Sequence, residues 1–256
     1  MTETTKFVIL GTQRTGTTLI RTSLDSHPDI LCCGEVFNLG RRPYRNDDGF
    51  WKYSNRSIYH RLRSGLFPRT VTKEYLEQLF LDQPYYAVGF KFMLSHCKSR
   101  PYILRLLTQY ELKAVLVIRR NALKTLISRR TAAASGVYHI SDTLKAKSAV
   151  RSWNARQIYL DSTSLLSELQ SIVSERDQWR SLVGKSFELF ELVYEDYVKD
   201  HDSMNRKLQT FLNVNEYPLE SDLKKVNPDK LEQILGNFGE VRQILEGTKF
   251  EEFLNT

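Results

Sequence analysis

Several kinds of segment are missing from this chain of 256 residues, and each absence argues against a class of protein. No apolar run approaches the length of a membrane span, and residues 1–5 lack the charged and apolar parts of a secretory signal. No Lys/Arg run is long enough to form a basic arm, so we expect no nucleic-acid partner. The chain also has no repeat, low-complexity segment or Pro/Gly-rich linker. We therefore expect one domain spanning residues 1–256.

Cysteine is scarce as well, with only Cys32, Cys33 and Cys97. Their odd number and their spacing fit neither a disulfide framework nor a metal site, so we expect reduced thiols, a cytoplasmic location and no metal. What the chain does have is positive charge. The 37 Lys and Arg residues against 30 Asp and Glu give a formal net charge of +7. This excess favours an anionic ligand or surface without identifying it.

The most informative segment is the loop from Gly11 to Thr18. It follows the apolar run at residues 7–10 and precedes Leu19, Ile20 and Leu24, whose spacing is helical. A glycine-bounded loop between a strand and a helix places backbone N–H groups and a helix N-terminus around an anion. The sequence therefore predicts a phosphate-binding loop.

This loop departs from a nucleotide-hydrolysing loop in one residue. Its two glycines have Walker A spacing, but Thr17 stands where a lysine should follow Gly16. The charge that reaches the β- and γ-phosphates of a nucleoside triphosphate is thus missing, and a different cation, Arg14, lies within the loop. The pattern indicates a P-loop-like cradle for a ligand other than ATP.

The remaining pattern predicts a three-layer α/β/α fold with a mostly parallel central sheet. Apolar, β-branched runs predict strands at 7–10, 30–34, 86–93, 113–118 and 187–194. Helical periodicity predicts helices at 72–80, 102–110, 122–130 and, as one long element, 143–173. The segment 40–68 lacks periodicity and is predicted to be an irregular excursion over the active face.

Polar residues follow several of these strands, where ligands bind in open α/β sheets. Arg119 and Arg120 follow strand 113–118, with Ser128 on the next helix; they either grip a second phosphate or only solubilise the strand end. Glu35 follows strand 30–34 and is either a general base for an incoming hydroxyl or a solvated turn residue.

Other residues near the strand ends have two interpretations each. The segment Tyr194-Glu195-Asp196-Tyr197 could be a magnesium-binding pattern or a polar turn. His27, His96 and Lys91 lie near the same ends. Lys91 either contacts substrate or extends towards solvent, and His27 is either functional or only a turn residue. For all three we expect structural roles.

The motifs together resemble the sulfotransferases that use 3′-phosphoadenylyl sulfate (PAPS), over roughly residues 5 to 200. The segment Gln13-Arg14-Thr15-Gly16-Thr17-Thr18 is similar to the family's 5′-phosphosulfate loop. Arg120 and Ser128 match its 3′-phosphate motif, and Tyr194-Glu195-Asp196 resembles a segment whose tyrosine lies near the adenine. The resemblance implies that Arg14, Thr15, Gly16, Thr17, Thr18, Arg120, Ser128 and Tyr194 bind PAPS as co-substrate.

The resemblance is closer to the bacterial and carbohydrate-type branch than to the cytosolic phenol and steroid enzymes. Gly34-Glu35-Val36-Phe37-Asn38 is similar to the base-bearing segment of that branch, whereas the loop lysine and the C-terminal Arg-Lys-Gly segment of the cytosolic enzymes are absent. The resemblance implies in-line sulfuryl transfer with Glu35 as the base and Arg14 stabilising the leaving phosphate. His27 and His96 are the rival bases.

The identity of the acceptor and the two alternative functions rest on weaker signals in the sequence. Aromatic residues of the excursion could stack on sugar faces, so we expect a hydroxyl of a carbohydrate or glycolipid; they are Tyr44, Phe50, Trp51, Tyr53 and Tyr59. One alternative is a degenerate P-loop nucleotide kinase or ATPase, which needs a lysine near Gly16. The other is a non-catalytic nucleotide- or polyanion-binding module.

Overall fold

The computed structural model describes residues 3–38, 49–81, 83–135, 157–221 and 230–255. In these ranges five strands form one sheet in the order β2-β3-β1-β4-β5, and all four pairings are parallel. The strands are β1 (Thr5–Gly11), β2 (Ile30–Cys33), β3 (Ala87–Met93), β4 (Lys113–Ile118) and β5 (Glu188–Val193). All five predicted strands are confirmed close to their expected bounds.

Helices connect and flank these strands. They are α1 (Thr17–Asp25), α2 (Phe50–Asn55), α3 (Ile58–Leu66), α4 (Pro68–Phe80), α5 (Leu94–Ser99), α6 (Pro101–Leu107), α7 (Ala122–Ser135), α8 (Leu165–Val183), α9 (Tyr194–Lys199), α10 (His201–Phe211), α11 (Leu231–Ile234) and α12 (Phe238–Leu245), followed by a 3₁₀ helix, η1 (Glu251–Leu254). No helix in the described ranges combines the length and apolarity needed to cross a bilayer.

The two faces of the sheet bury separate apolar layers because successive strand residues point to opposite sides. One layer joins alternate residues of β1, β3 and β4 to Val71 and Leu76 of α4 and Ile103 of α6. The other layer joins the intervening strand residues to Ile20 of α1 and Leu208 of α10. The predicted helix–sheet–helix layering is therefore confirmed.

The chain divides into two compact units. The first comprises Met1–Ile118 and Trp179–Ser221, and it contains the whole sheet. The second comprises Arg119–Gln178 and Asp222–Thr256, with its own apolar core from α7, α8 and α12. The expectation of a single domain over 1–256 stays a prediction.

The predicted irregular excursion is wrong in its described part. Residues 50–66 form α2 and α3, whereas 40–48, with Tyr44, lie outside the described residues. Helix α3 begins at a side-chain cap, because Ser57 Oγ accepts a hydrogen bond from the backbone N–H of His60 at 3.2 Å. Ile58, Leu62 and Leu66 recur at a helical interval in this segment, so the periodic signal was present in the sequence.

The predicted long helix at 143–173 is also wrong in part. Residues 143–156 lie outside the described ranges, residues 157–164 are not helical, and α8 starts at Leu165. The backbone before α8 is bonded elsewhere. Ile158 pairs with Leu235 in an isolated bridge, and the Asn237 amide bonds both the N–H and the C=O of Leu160, at 3.2 and 2.8 Å. Tertiary bonding therefore overrides the helical periodicity on which the prediction for this stretch rested.

Candidate active site

The predicted phosphate loop joins β1 to α1 through two left-handed backbone positions, Arg14 (φ 69°) and Gly16 (φ 98°). A Cβ on Gly16 would lie 2.4 Å from Cδ2 of Tyr194, so only glycine fits there. The contact also brings the Tyr194 ring against the loop. Within the loop, the Thr15 hydroxyl donates to the carbonyl of Thr12 at 2.9 Å.

The start of α1 is suited to an anion. The first N–H groups of a helix have no acceptor within it, and the first intrahelical bond here runs from Ile20 N–H to the carbonyl of Gly16. The first turn of α1 contains no acidic residue. The backbone amides of Thr17 and Thr18 therefore form an anion-favouring helix N-terminus.

A lysine from β3 contacts this loop. Lys91 Nζ donates to Thr18 Oγ1 at 2.9 Å and lies 2.8 Å from Oε1 of Glu35. Lys91 is 5% exposed, so it does not extend to solvent as expected. A lysine of a neighbouring strand thus links the loop to the carboxylate.

Glu35 receives further contacts from a buried histidine and an amide. His96 Nε2 lies 3.6 Å from Glu35 Oε2, and Asn38 Nδ2 donates to the same oxygen at 3.2 Å. His96 Nδ1 accepts the backbone N–H of Met93 at 3.2 Å, which assigns the proton of a neutral ring to Nε2, facing Glu35. Glu35 is therefore an oriented carboxylate, and the alternative of a solvated turn residue is wrong.

The second predicted phosphate motif begins directly after β4, as expected. Arg120 is exposed, and Ser128 lies on α7 with 8% exposure. Between them, Asn121 Oδ1 accepts the backbone N–H of Lys124 at 2.8 Å, and its Nδ2 donates to the carbonyl of Phe253 at 2.9 Å. The start of α7 is thus capped and attached to the C-terminal segment of the second unit.

Comparison with known proteins identifies the family. A model described as the Sulfotransferase family matches residues 6–218, which include both motifs and Glu35. The chain belongs to this family. No curated protein matches the sequence.

Solved structures similar to this sulfotransferase-family chain include three sulfotransferases. One is from Alicyclobacillus acidocaldarius, at 15% identity and TM-score 0.45, covering 98% of this chain and 95% of that chain. A sulfotransferase domain from the curacin biosynthetic pathway has 14% identity and TM-score 0.43, covering 85% and 77%. The domain from the Synechococcus PCC 7002 olefin synthase has 13% identity and TM-score 0.44, covering 91% and 84%.

His27 has the structural role expected in this family member. Its Nε2 lies 2.9 Å from the carbonyl of Asn215, and its Nδ1 accepts the backbone N–H of Asp29 at 3.0 Å. The ring is 3% exposed and packs edge-on against Tyr217. His27 therefore connects the end of α1 to the segment after α10 through main-chain bonds.

The structure also places the acidic pair after β5 and the aromatic residues predicted to contact the acceptor. Glu195 and Asp196 occupy the first turn of α9, where the helix dipole favours carboxylates. Among the described residues, no group of three or more His, Cys, Asp and Glu could hold a metal ion. Among the aromatic residues predicted to stack on sugar faces, Phe50 is buried at 2% exposure and packs on Phe37 and Tyr75. The prediction that Phe50 stacks on a sugar is therefore wrong.

The charges around Glu35 determine its protonation. Burial alone would raise the pKa of Glu35, but the hydrogen bond from His96 and the charge of Lys91 outweigh it and lower the pKa to about 2. For Lys91, burial prevails over the attraction of Glu35 and lowers the lysine pKa. Glu35 is therefore a carboxylate at neutral pH, and its proton affinity is weak.

This shift predicts a pH dependence of stability. A depressed carboxyl pKa stabilises the fold above its ordinary value of 4.5, and that contribution disappears as pH falls towards about 2. At about pH 6 the intact carboxylate contributes to the free energy of unfolding of the wild type but not to that of Glu35→Gln. This advantage of the wild type should shrink by about 2 kcal/mol when the pH is lowered to about 3. Urea unfolding of both proteins at the two pH values measures it, and a constant difference would contradict the shift.

Proposed function

We propose that this protein transfers a sulfuryl group from PAPS to an acceptor hydroxyl by in-line displacement. One observation supports this proposal most directly. The Lys91 ammonium lies within hydrogen-bond distance of both Thr18 in the phosphate loop and Glu35. A cradle for an anionic donor and a carboxylate that can accept a proton are therefore adjacent, in a chain of the Sulfotransferase family.

The residues suited to PAPS fall into two groups. The backbone amides from Thr15 to Thr18 would hold the 5′-phosphosulfate, because they surround a helix start without competing acids. Arg120 and Ser128 would hold the 3′-phosphate. The Tyr194 ring, which contacts Gly16, would border the adenine. No metal takes part in this proposal.

The reaction then needs one proton acceptor and one source of positive charge. Glu35 takes the proton of the acceptor hydroxyl while its oxygen bonds to sulfur and the bond from sulfur to the 5′-phosphate oxygen breaks. Arg14 and Lys91 stabilise the charge that develops on the leaving phosphate, an electrostatic contribution of roughly 3 kcal/mol or more. Because the pKa of Glu35 is about 2, proton transfer is late, after bonding to sulfur has made the hydroxyl acidic.

The contacts of His96 favour a positioning role over the role of base. A base needs an available lone pair, and Nδ1 already accepts the backbone N–H of Met93. The Nε2 proton faces Glu35, so the ring orients the carboxylate and maintains its charge. This arrangement supports Glu35 as the base and the bacterial or carbohydrate-type branch.

For the acceptor we propose a hydroxyl of a carbohydrate or glycolipid, in a cytoplasmic enzyme. Trp51 and Tyr59 remain accessible for stacking, with 49% and 65% exposure. Both lie in the helical segment that follows Glu35 in the chain. Tyr53 is instead occupied by Tyr75 and by the Arg56 guanidinium.

Labelled nucleotides test the reaction class directly. The protein is incubated with ³⁵S-labelled PAPS and a chelator, against panels of glycans, glycolipids and phenols, with Glu35→Gln as the matched control. We expect label transfer with wild type only, to a sugar-bearing acceptor. Transfer of phosphate from labelled ATP with magnesium would indicate a kinase, and nucleotide binding without any transfer would indicate a binding module.

The loop arginine gives a second expectation. Arg14→Lys should be a poor substitute, because lysine keeps the charge but loses the planar fork that binds two oxygens at once. We expect both weaker PAPS binding and a kcat lowered by roughly 10-fold or more. Single-turnover rates and calorimetric titration with PAPS measure the two effects. Wild-type turnover in Arg14→Ala would show that the loop acts through its backbone alone.

A further inference from the structure

Helix α3 turns its apolar side outwards. Ile58, Tyr59, Leu62 and Leu66 are 74%, 65%, 60% and 72% exposed. At 100° per residue these four lie within about 100° of helical arc, so they form one stripe. None of the residues of α3 is buried, and its half-buried residues are polar: His60, Arg63 and Ser64. An ordinary surface helix buries its apolar residues and exposes its polar ones, whereas α3 does the opposite.

Exposed apolar side chains are concentrated around this helix. The described chain has thirteen large exposed hydrophobic residues, and six of them lie within 51–67. Trp51 precedes the stripe on α2, and Phe67 follows it at 58% exposure. Scattered exposed apolar residues are normal, but a contiguous patch marks an interaction surface.

The segment that carries the stripe is rich in cations. Residues 49–73 contain six Lys and Arg residues and no Asp or Glu. Arg63 is paired with Glu74 at 2.6 Å, and Lys73 with Glu77 at 3.7 Å. Arg61, within the stripe's span, and Arg69, just after Phe67, are both exposed. A helix with an apolar stripe and flanking arginines is suited to an interface between hydrocarbon and anionic headgroups.

We propose that α3 and its flanking residues dock this protein on an anionic phospholipid surface. The aliphatic residues of the stripe, Ile58, Leu62 and Leu66, would enter the acyl boundary, while Arg61 and Arg69 bind headgroup phosphates. A second copy of the chain is a poorer occupant. Two-fold pairing of this patch would bring its cations together without any acid in 49–73 to offset them.

The patch is attached to the segment that bears Glu35. At the start of α2, the Phe50 backbone N–H donates to the carbonyl of Val36 at 2.8 Å, and the Phe50 ring packs on Phe37. A docked patch would therefore hold the carboxylate segment close to the lipid surface. The docking proposal goes beyond sulfuryl transfer and does not depend on it.

Vesicle flotation tests the proposal without PAPS or an acceptor. Wild type is compared on phosphatidylcholine vesicles and on vesicles with about 30% phosphatidylglycerol. We expect binding to the anionic vesicles only, weakened as salt is raised. The triple variant Ile58→Ser, Leu62→Ser, Leu66→Ser should bind at least about 10-fold more weakly. Arg61→Gln with Arg69→Gln should lower affinity about 25-fold, at about fivefold per cation.

The control is Leu182→Ser on α8, which removes an apolar side chain with 49% exposure from another helix. It should bind vesicles like wild type, and circular dichroism should show every variant folded. Failure of wild type to float, or equal flotation of the stripe variants, overturns the proposal. Light scattering that shows a dimer lost in the triple variant overturns it too, in favour of an interface between copies.

Discussion

Glu35→Gln should lower kcat by roughly 10²–10⁴-fold while leaving PAPS affinity close to that of wild type. Glutamine keeps the size of the side chain, and its carbonyl oxygen can still accept the hydrogen bond from Lys91. It cannot take up the proton of the acceptor hydroxyl. Lys91 would lose its counter-charge 2.8 Å away, and the anionic co-substrate, when bound, would supply negative charge to the lysine in its place. The loss should therefore appear in kcat rather than in binding.

Histidine variants distinguish the catalytic base from the residues that position it. His96→Ala should lower kcat less than Glu35→Gln, and it should raise the pKa of Glu35 by removing a hydrogen bond that lowers it. The acid limb of the kcat/KM profile should then move to higher pH. His27→Ala should reduce stability only, because its nitrogens bond main-chain groups. Near-normal turnover in Glu35→Gln beside an inactive His96→Ala would show that the base and the family branch are wrongly assigned.

The wild-type pH profile gives an independent measurement. A carboxylate base with a pKa of about 2 predicts a flat kcat/KM from about pH 8 down to pH 5. A histidine base predicts a fall between about pH 7 and pH 6. The two bases are thus distinguishable without any substitution.

The strands could be predicted from sequence because they are the buried part of the sheet. In β4, Lys113–Ile118, five of six residues are buried and β-branched residues recur, so pattern and structure agree. Helix α3 was not predicted although its apolar residues recur at a helical interval. Its apolar residues face solvent and contribute nothing to the core, and polar residues interrupt them. Amphipathic periodicity identifies a stripe, but it does not say that the stripe is buried.

The sequence predicts the parts of the candidate site as separate motifs, but it does not predict the side-chain contacts that join them. The sequence identified the loop and Glu35, but the bridge between them is a lysine from a different strand. One signal was available, since Lys91 interrupts the otherwise apolar run Ala87–Met93 in a central strand. A lysine is almost never fully buried without a partner, so that position pointed to a counter-ion. Its identity required the register that places β2 beside β3.

The largest expected effect on binding concerns the second motif. Wild type should bind adenosine 3′,5′-bisphosphate far more tightly than AMP, and Arg120→Ala should remove most of that preference. Deleting one partner of a desolvated charge pair loses about 2–4 kcal/mol, which is about 30- to 1,000-fold in affinity. Ser128→Ala should weaken binding less, because a neutral hydroxyl contributes a weaker hydrogen bond than a guanidinium. Calorimetric titration of each variant with both nucleotides measures the preference directly.

A matched control lies on α7, the helix that follows Arg120 and carries Ser128. Arg130→Ala removes an exposed guanidinium of α7 that pairs with Glu168 at 2.7 Å and is not one of the groups proposed to hold the 3′-phosphate. The bisphosphate preference should therefore survive this change, although net charge falls by the same amount as in Arg120→Ala. Equal loss in both variants would mean that general positive charge, rather than Arg120, attracts the nucleotide. Equal affinity of wild type for the two nucleotides would contradict the 3′-phosphate site itself, because AMP lacks only the group that Arg120 is proposed to hold.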